Sequence, residues 1–85
     1  MQGERLVEVM TSEDYFNWAA EYRQELDAVE HQIRKAEAKS RKKLGNIERT
    51  NLEKLLSLLY SQRIECLAFA VELEEKARVI REKEG

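Results

Sequence analysis

Residues 52–73 read LEKLLSLLYSQRIECLAFAVEL, and this stretch decides the fold because its apolar residues recur at helical spacing. Steps of four and three residues define a seam that runs through it and beyond: Leu52, Leu56, Leu59, Arg63, Cys66, Ala70, Leu73, Ala77 and Ile80. Such a repeat keeps one stripe of a helix facing a neighbouring helix. The sequence therefore predicts a long helix that packs against a helical partner.

The preceding segment has the same pattern and can supply that partner. Its seam consists of Tyr15, Ala19, Tyr22, Leu26, Val29, Ile33, Ala36 and Ser40. At its start, Thr11 is followed by Ser12, Glu13 and Asp14. A hydroxyl caps free backbone N–H groups, and acidic residues favour the positive end of a helix, so we expect a helix to begin here.

Glycine and asparagine interrupt the pattern between the two segments. Gly45 or Asn46 can adopt the left-handed conformation that ends a helix. A second cap follows at Thr50, with Glu53 placed to reach back to it, although Asn46 could begin the helix one turn earlier. An unbroken helix through Gly45 is the alternative to a turn, because one interior glycine costs only about 1 kcal/mol relative to alanine.

The predicted fold class is all-α, an antiparallel helical hairpin of two long helices. Its parts are an N-terminal arm (1–11) and a hairpin (12–85) made of a first helix (12–43), a turn (44–49) and a second helix (50–83). The arm is either a flexible or apolar extension that lies on the helices, or a strand that pairs with a symmetry mate or with the sheet edge of a partner, since one strand alone cannot form a sheet.

Folding the two helices back on each other brings together residues whose numbers add to about 96. Small residues then repeatedly meet large ones, as close packing requires. The predicted pairs are Ser40 with Leu56, Ala36 with Leu59, Leu26 with Ala70, and Ala19 with Ala77. In this register Arg63 faces Ile33, and Glu30 and Glu37 are candidate partners for its guanidinium.

The second helix is apolar well beyond its seam. One flank adds Leu55, Leu58 and Phe69, and the other adds Tyr60, Ile64, Leu67 and Val71. One neighbouring helix cannot cover this much surface, and such patches mark interfaces, so we predict that these residues contact an oligomer or a partner. A second copy is the simplest partner and gives a four-helix bundle with the second helices at its centre. A different protein, or a monomer covered in part by its own arm, is the alternative.

Basic residues gather around the predicted turn. Residues 34–49 contain seven basic and two acidic residues, net +5, whereas residues 1–33 carry net −6. The tip residues that could contact phosphate are Arg34, Lys35, Lys39, Arg41, Lys42, Lys43 and Arg49. Helix C-termini attract cations for electrostatic reasons alone, and the tip has no aromatic residue for base stacking, so a solvated helix end is the preferred interpretation. The opposite charges of tip and open end favour an antiparallel dimer.

Composition limits the class of protein. The chain has 15 basic and 17 acidic residues, so its net charge of −2 gives no overall attraction to nucleic acid or to an anionic membrane. A single cysteine excludes an intramolecular disulfide and suggests a reducing, cytoplasmic compartment. No stretch approaches the roughly 20 apolar residues that span a bilayer, so no membrane contact is expected.

No pattern of residues predicts catalysis, a cofactor site or a metal site. His31 is the only histidine and falls on the outer face of the first helix, without a second ligand or a nucleophile at useful spacing. Cys66 falls in the seam and is interpreted as a buried, unreactive thiol. Helical spacing of the aromatic group favours packing at the end of the bundle for Tyr15, Phe16, Trp18 and Tyr22.

From the sequence we therefore expect a non-enzymatic protein–protein interaction module, dimeric, acting as an adaptor, an assembly factor or a protein inhibitor. The alternative is a small nucleic-acid-binding accessory protein that uses the basic tip. No motif in the chain is specific to one protein family.

Overall fold

The computed structural model describes residues 10–84, which form two antiparallel helices. Helix α1 spans Ser12–Ser40 and α2 spans Asn46–Glu84, with residues 41–45 as the connection. The predicted all-α hairpin is confirmed, and the unbroken helix is excluded. The predicted arm lies almost wholly in residues 1–9, outside the described residues.

The start of α1 follows the prediction. Thr11 is the N-cap: its hydroxyl accepts a hydrogen bond from Asp14 N at 3.2 Å, and Thr11 N donates to Asp14 Oδ2 at 3.0 Å. This reciprocal pair is a capping box, which satisfies backbone donors that the helix itself leaves free.

The end of α1 comes three residues before the predicted one, at Ser40 rather than residue 43. Ser40 Oγ donates to the carbonyl oxygen of Glu37 at 2.6 Å, which is the oxygen that Arg41 N would need to continue the helix. Arg41 N turns instead to Ala38 O at 3.3 Å, in a tighter turn. Helix α1 therefore ends in a tight turn with right-handed geometry at Arg41, and no residue between Met10 and Glu84 adopts the predicted left-handed conformation.

Helix α2 begins at the earlier of the two predicted starts, and the cap expected at Thr50 lies inside the helix. Gly45 is its N-cap, because Gly45 O accepts from Arg49 N at 2.9 Å. Glu48 Oε1 accepts from Gly45 N at 3.2 Å, which is half of a capping box. The glycine begins the second helix instead of ending the first.

The predicted register is confirmed by three polar contacts between the helices. Ser12 contacts Glu84, Arg23 contacts Glu74, and Glu37 contacts Tyr60, so the residue numbers of each pair add to 96 or 97. The seam forms the core between the helices, and its buried residues are Ala19, Leu26, Val29, Ile33, Ala36, Leu59, Cys66, Ala70, Leu73 and Ala77.

Arg63 does not pair with the predicted acids among the described residues. Its guanidinium carbon lies 5.2 Å from the centre of the Tyr60 ring, and the side chain is half-buried. The hydroxyl of Tyr60 donates a hydrogen bond to Glu37 Oε2 at 2.6 Å. The arginine is accommodated by stacking on Tyr60, which lies beside the seam, instead of by an ion pair.

Candidate protein interface

The interface predicted from the sequence is largely uncovered in the hairpin. Six of its seven side chains are exposed, with between 39% and 66% of their surface accessible: Leu55, Leu58, Ile64, Leu67, Phe69 and Val71. The hairpin measures 57 × 27 × 13 Å, so residues 10–84 form a single layer of two helices, and no further element within this range covers either broad face. These side chains lie outside the shared core because one neighbouring helix reaches only the seam.

The seven predicted side chains fall into two groups on opposite sides of the α2 seam. One group, which we call the Ile64 stripe, comprises Tyr60, Ile64, Leu67 and Val71 and continues in steps of four, three and four. The other, the Leu58 flank, comprises Leu55, Leu58 and Phe69. At about 100° per residue, the two groups are separated by the seam on one side and by the polar outer face of α2 on the other.

Tyr60 anchors one end of the Ile64 stripe to the hairpin. It is half-buried and packs against the core cluster that contains Val29 and Leu59. The hydrogen bond to Glu37 raises the pKa of the Tyr60 hydroxyl, and desolvation acts in the same direction. Tyr60 therefore differs from the other six predicted residues, because only part of its ring is available to a partner.

An ion pair holds α1 against α2 just beyond the other end of the stripe. Arg23 donates to Glu74 through two nitrogens, Nε at 3.0 Å and Nη2 at 2.9 Å. This contact lowers the pKa of the Glu74 carboxyl, chiefly through the hydrogen bond. The bidentate geometry fixes both side chains, although water screens an ion pair this exposed, so it adds little to stability.

Polar residues interrupt the Leu58 flank. Gln62 and Glu65 occupy the positions between Leu58 and Phe69 on the same side of α2, and both are exposed. Phe69 is partly covered by α1, because its ring lies 5.3 Å from that of Tyr22 at a tilt of 31°. The Leu58 flank is therefore a broken apolar surface.

A groove joins the Leu58 flank to the basic tip. It has a volume of about 490 Å³ and lies between the helices near the turn. Its lining includes Leu52, Leu55, Leu59 and Ala36 together with the stems of Lys35, Lys39 and Lys42. The structure thus brings a predicted interface leucine together with three predicted tip residues. The space arises beside small alanines, and sequence patterning alone did not indicate it.

All seven predicted tip residues are exposed, and none of them takes part in an ion pair within residues 10–84. They surround the tip instead of sharing one face, since Arg34 and Lys39 point about 140° apart on α1. The two acids of the tip are engaged elsewhere, Glu37 with Tyr60 and Glu48 with the backbone of Gly45. The tip is consequently a positive but diffuse surface.

Within residues 10–84, three further large apolar side chains are exposed that the interface prediction did not include. Ile47 is 78% accessible in the first turn of α2, where the sequence predicted a loop. Val79 is also exposed and lies C-terminal to residues 52–73. Trp18 stacks on Tyr15 with ring centres 6.4 Å apart, yet its side chain remains exposed. Ile47 is not among the predicted interface residues because α2 was expected to begin after it. The spacing of apolar residues in the sequence does not indicate that Trp18 is exposed.

The remaining polar groups form no reactive constellation among residues 10–84. No three His, Cys, Asp or Glu side chains gather there as metal ligands would. His31 is exposed on the outer face of α1. Cys66 is buried as predicted, and burial raises the pKa of its thiol, with Glu25 adding to the effect. Neither described helix combines the length and apolarity needed to cross a membrane.

In comparisons with known proteins, no family model, no curated protein and no solved structure matches the chain. The contacts and charges of the hairpin itself are therefore the basis for a functional assignment.

Proposed function

We propose that this chain is a non-enzymatic protein–protein interaction module that self-associates through α2. The observation that carries the proposal is the exposure of six large apolar side chains on one helix of a two-helix layer. Exposed apolar surface of this extent on one helix is typical of interfaces in stable folds. Packing two hairpins with their α2 helices at the centre covers part of this surface and produces a four-helix bundle.

The make-up of the hairpin core supports association. Four of its ten buried apolar residues are alanines, and α1 and α2 share only one seam. Fully burying a leucine, isoleucine or phenylalanine stabilises a protein by about 1.5–3 kcal/mol. Ile64 and Leu67 are 66% and 43% exposed, so covering what remains of them at an interface adds roughly 1 kcal/mol for each side chain. Such a gain matters in a domain whose whole stability is about 5–15 kcal/mol.

The arrangement suits an adaptor, an assembly factor or a protein inhibitor. A dimer built around α2 leaves the outer face of α1 and the basic tip at the surface, where a further protein can bind. Such modules act by presenting a rigid helical surface, and they need no catalytic group.

The experiment is sedimentation equilibrium on the parent chain and on a double variant with one charge on each side of α2, Leu58→Glu with Leu67→Glu. The proposal predicts that the double variant sediments as a monomer, because an interface on either side of α2 would desolvate at least one of the two carboxylates. Gln24→Glu, on the outer face of α1, adds the same type of charge and should leave the assembly intact. An unchanged assembled mass in the double variant would refute the assignment of the interface to α2.

Nucleic-acid binding is the second candidate, favoured by the exposure of all seven basic tip residues. The positive end of α2 lies at the same tip, since the helix begins at Asn46. Binding through phosphates would weaken steeply with salt, and Lys42→Gln with Lys43→Gln would reduce that slope. Lys76→Gln with Lys83→Gln removes two charges far from the tip and is the matched control. No binding of duplex or single-stranded probes at low salt would exclude this candidate.

A further inference from the structure

We propose that the second copy binds along the Ile64 stripe with the two α2 helices antiparallel, Ile64 facing Leu67 of the second copy. This inference rests on the proposed self-association and specifies which surface is used and in which register.

The Ile64 stripe has the spacing of a coiled-coil seam. Tyr60, Ile64, Leu67 and Val71 follow each other in steps of four, three and four, and the next positions in the same pattern are Ser57 and Glu74. The stripe is thus a second seam on α2, about 100° around the helix from the seam that packs on α1. A helix with two adjacent seams packs between two neighbours.

The Leu58 flank is a poorer surface for self-association. Any helix laid along it also covers Gln62 and Glu65, which lie between Leu58 and Phe69. A carboxylate desolvated without a cation opposes association. Within the Ile64 stripe, by contrast, all four consecutive positions are apolar or aromatic.

An antiparallel two-fold arrangement centred on the stripe matches large apolar residues with each other. Ile64 then lies opposite Leu67 of the second copy, and Tyr60 lies opposite Val71 of the second copy. Each contact occurs twice, as the symmetry of an isologous dimer requires. The centre of the interface contains the two side chains of the stripe that are most fully exposed in the single hairpin, Ile64 at 66% and Leu67 at 43%.

The charges beyond the stripe select the antiparallel direction. Continuing the same register places Glu53 opposite Arg78 of the second copy, and Lys54 beside Glu75 of the second copy. All four side chains are exposed, and none of them forms an ion pair within residues 10–84. In a parallel dimer in register, each of these residues would instead face the same residue of the second copy. Like charges would then lie side by side and repel each other.

Small residues on the outer border of the stripe allow the helices to approach. Ser61 and Ala68 lie along that border and face each other across the two-fold axis in the same register. Small side chains at such positions permit interaxial distances near the short end of the usual 8–10 Å. The Leu58 flank and the lysine-lined groove lie on the other side of α2 and stay outside this interface.

Disulfide trapping tests the direction and register in a Cys66→Ala background. The double variant Glu53→Cys with Arg78→Cys should oxidise to a covalent dimer, because each new cysteine faces the other type across the interface. The single variant Arg78→Cys should not, since its two copies would be roughly 37 Å apart along the helix axis at 1.5 Å per residue. Efficient trapping of Arg78→Cys alone would show a parallel dimer and overturn the proposal.

Charge reversal gives an independent test without cysteines. Glu53→Arg alone and Arg78→Glu alone should each weaken association by roughly tenfold at low salt, because two attractive pairs per dimer become repulsive. The double reversal should restore it. Failure of the double reversal to recover the affinity would contradict the pairing.

Single substitutions distinguish the two sides of α2. Leu67→Glu should weaken the dimer by at least roughly 100-fold, and Leu58→Glu should leave it nearly unchanged. The opposite result would overturn the choice of the Ile64 stripe while leaving self-association through α2 intact. A parent chain that stays monomeric would instead refute the proposed function itself.

Discussion

Glu84, the last residue of α2, accepts two hydrogen bonds from Ser12, the first residue of α1. Ser12 N lies 3.1 Å from Oε2, and Ser12 Oγ lies 2.7 Å from Oε1. The free N–H groups at the start of a helix need acceptors, and here one comes from the other helix, 72 residues along the chain. The contact closes the open end of the hairpin and lowers the pKa of the Glu84 carboxyl, mainly through the serine hydroxyl.

Stability should fall in acid, and Glu84→Gln should reduce that fall. The pKa values of Glu84 and Glu74 are lower in the folded chain than in the unfolded chain, where a glutamate titrates near about 4.3. Their stabilising contribution is therefore present above about pH 4.3 and is lost as the pH falls from there through the folded-state pKa. Thermal unfolding of parent and variant at pH 7 and pH 3 measures the difference. An equal loss in both proteins would show that the contact with Ser12 is not formed.

Gly45→Ser should stabilise the hairpin by a few tenths of a kcal/mol. Glycine is an acceptable N-cap, but a serine hydroxyl would accept the N–H of Glu48 and complete the capping box. The change is sterically open, because a Cβ at Gly45 would lie 3.5 Å from Glu48 Oε1, an ordinary contact. Gly45→Ala is the control, since it adds the Cβ without an acceptor. Equal unfolding free energies for the serine and alanine variants in urea would contradict the assignment of Gly45 as the cap.

Arg63→Leu should be neutral or stabilising, within about 1 kcal/mol. The arginine is half-buried over the Tyr60 ring and has no ion-pair partner among residues 10–84. The variant loses a cation–π contact of about 0.5–1 kcal/mol and gains apolar packing of similar size. Urea unfolding measures the balance. A loss of more than about 2 kcal/mol would indicate that the guanidinium neutralises a charge in the folded state.

Cys66 should react slowly with a maleimide in the folded protein. The thiol is buried in the seam, and burial raises its pKa, so little thiolate is available at neutral pH. Labelling followed by mass spectrometry should be complete in denaturant and strongly retarded without it. The assembled mass should be the same with and without a reductant. Rapid stoichiometric labelling under native conditions would contradict a buried Cys66.

Sequence spacing predicted the hairpin and its register because both follow from the 4-3 repeat. Pairing Ala36 with Leu59 required only that the two seams face each other antiparallel. The helix junction was harder to predict, since Ser40 competes for a backbone oxygen and Gly45 can serve either helix. The possible end points of α1 and start points of α2 differ by small local energies, and the spacing of apolar residues does not indicate which is lower.

Sequence likewise predicted some features of the candidate interface and not others. Ile64 and Leu58 are exposed because they lie outside the seam, and their positions relative to the seam can be read from the sequence. The half-buried position of Tyr60 depends on where its hydroxyl finds an acceptor, and the groove beside Lys39 depends on the space left next to small alanines. Both are properties of three-dimensional contact, and the order of residues does not specify them.

The central claim is that the apolar outer surface of α2 joins two copies of the chain. The most direct test is light scattering on a sizing column over a dilution series of the unmodified protein. The account predicts a mass near twice 10.0 kDa that persists on dilution. A single species of 10.0 kDa at every concentration would contradict it.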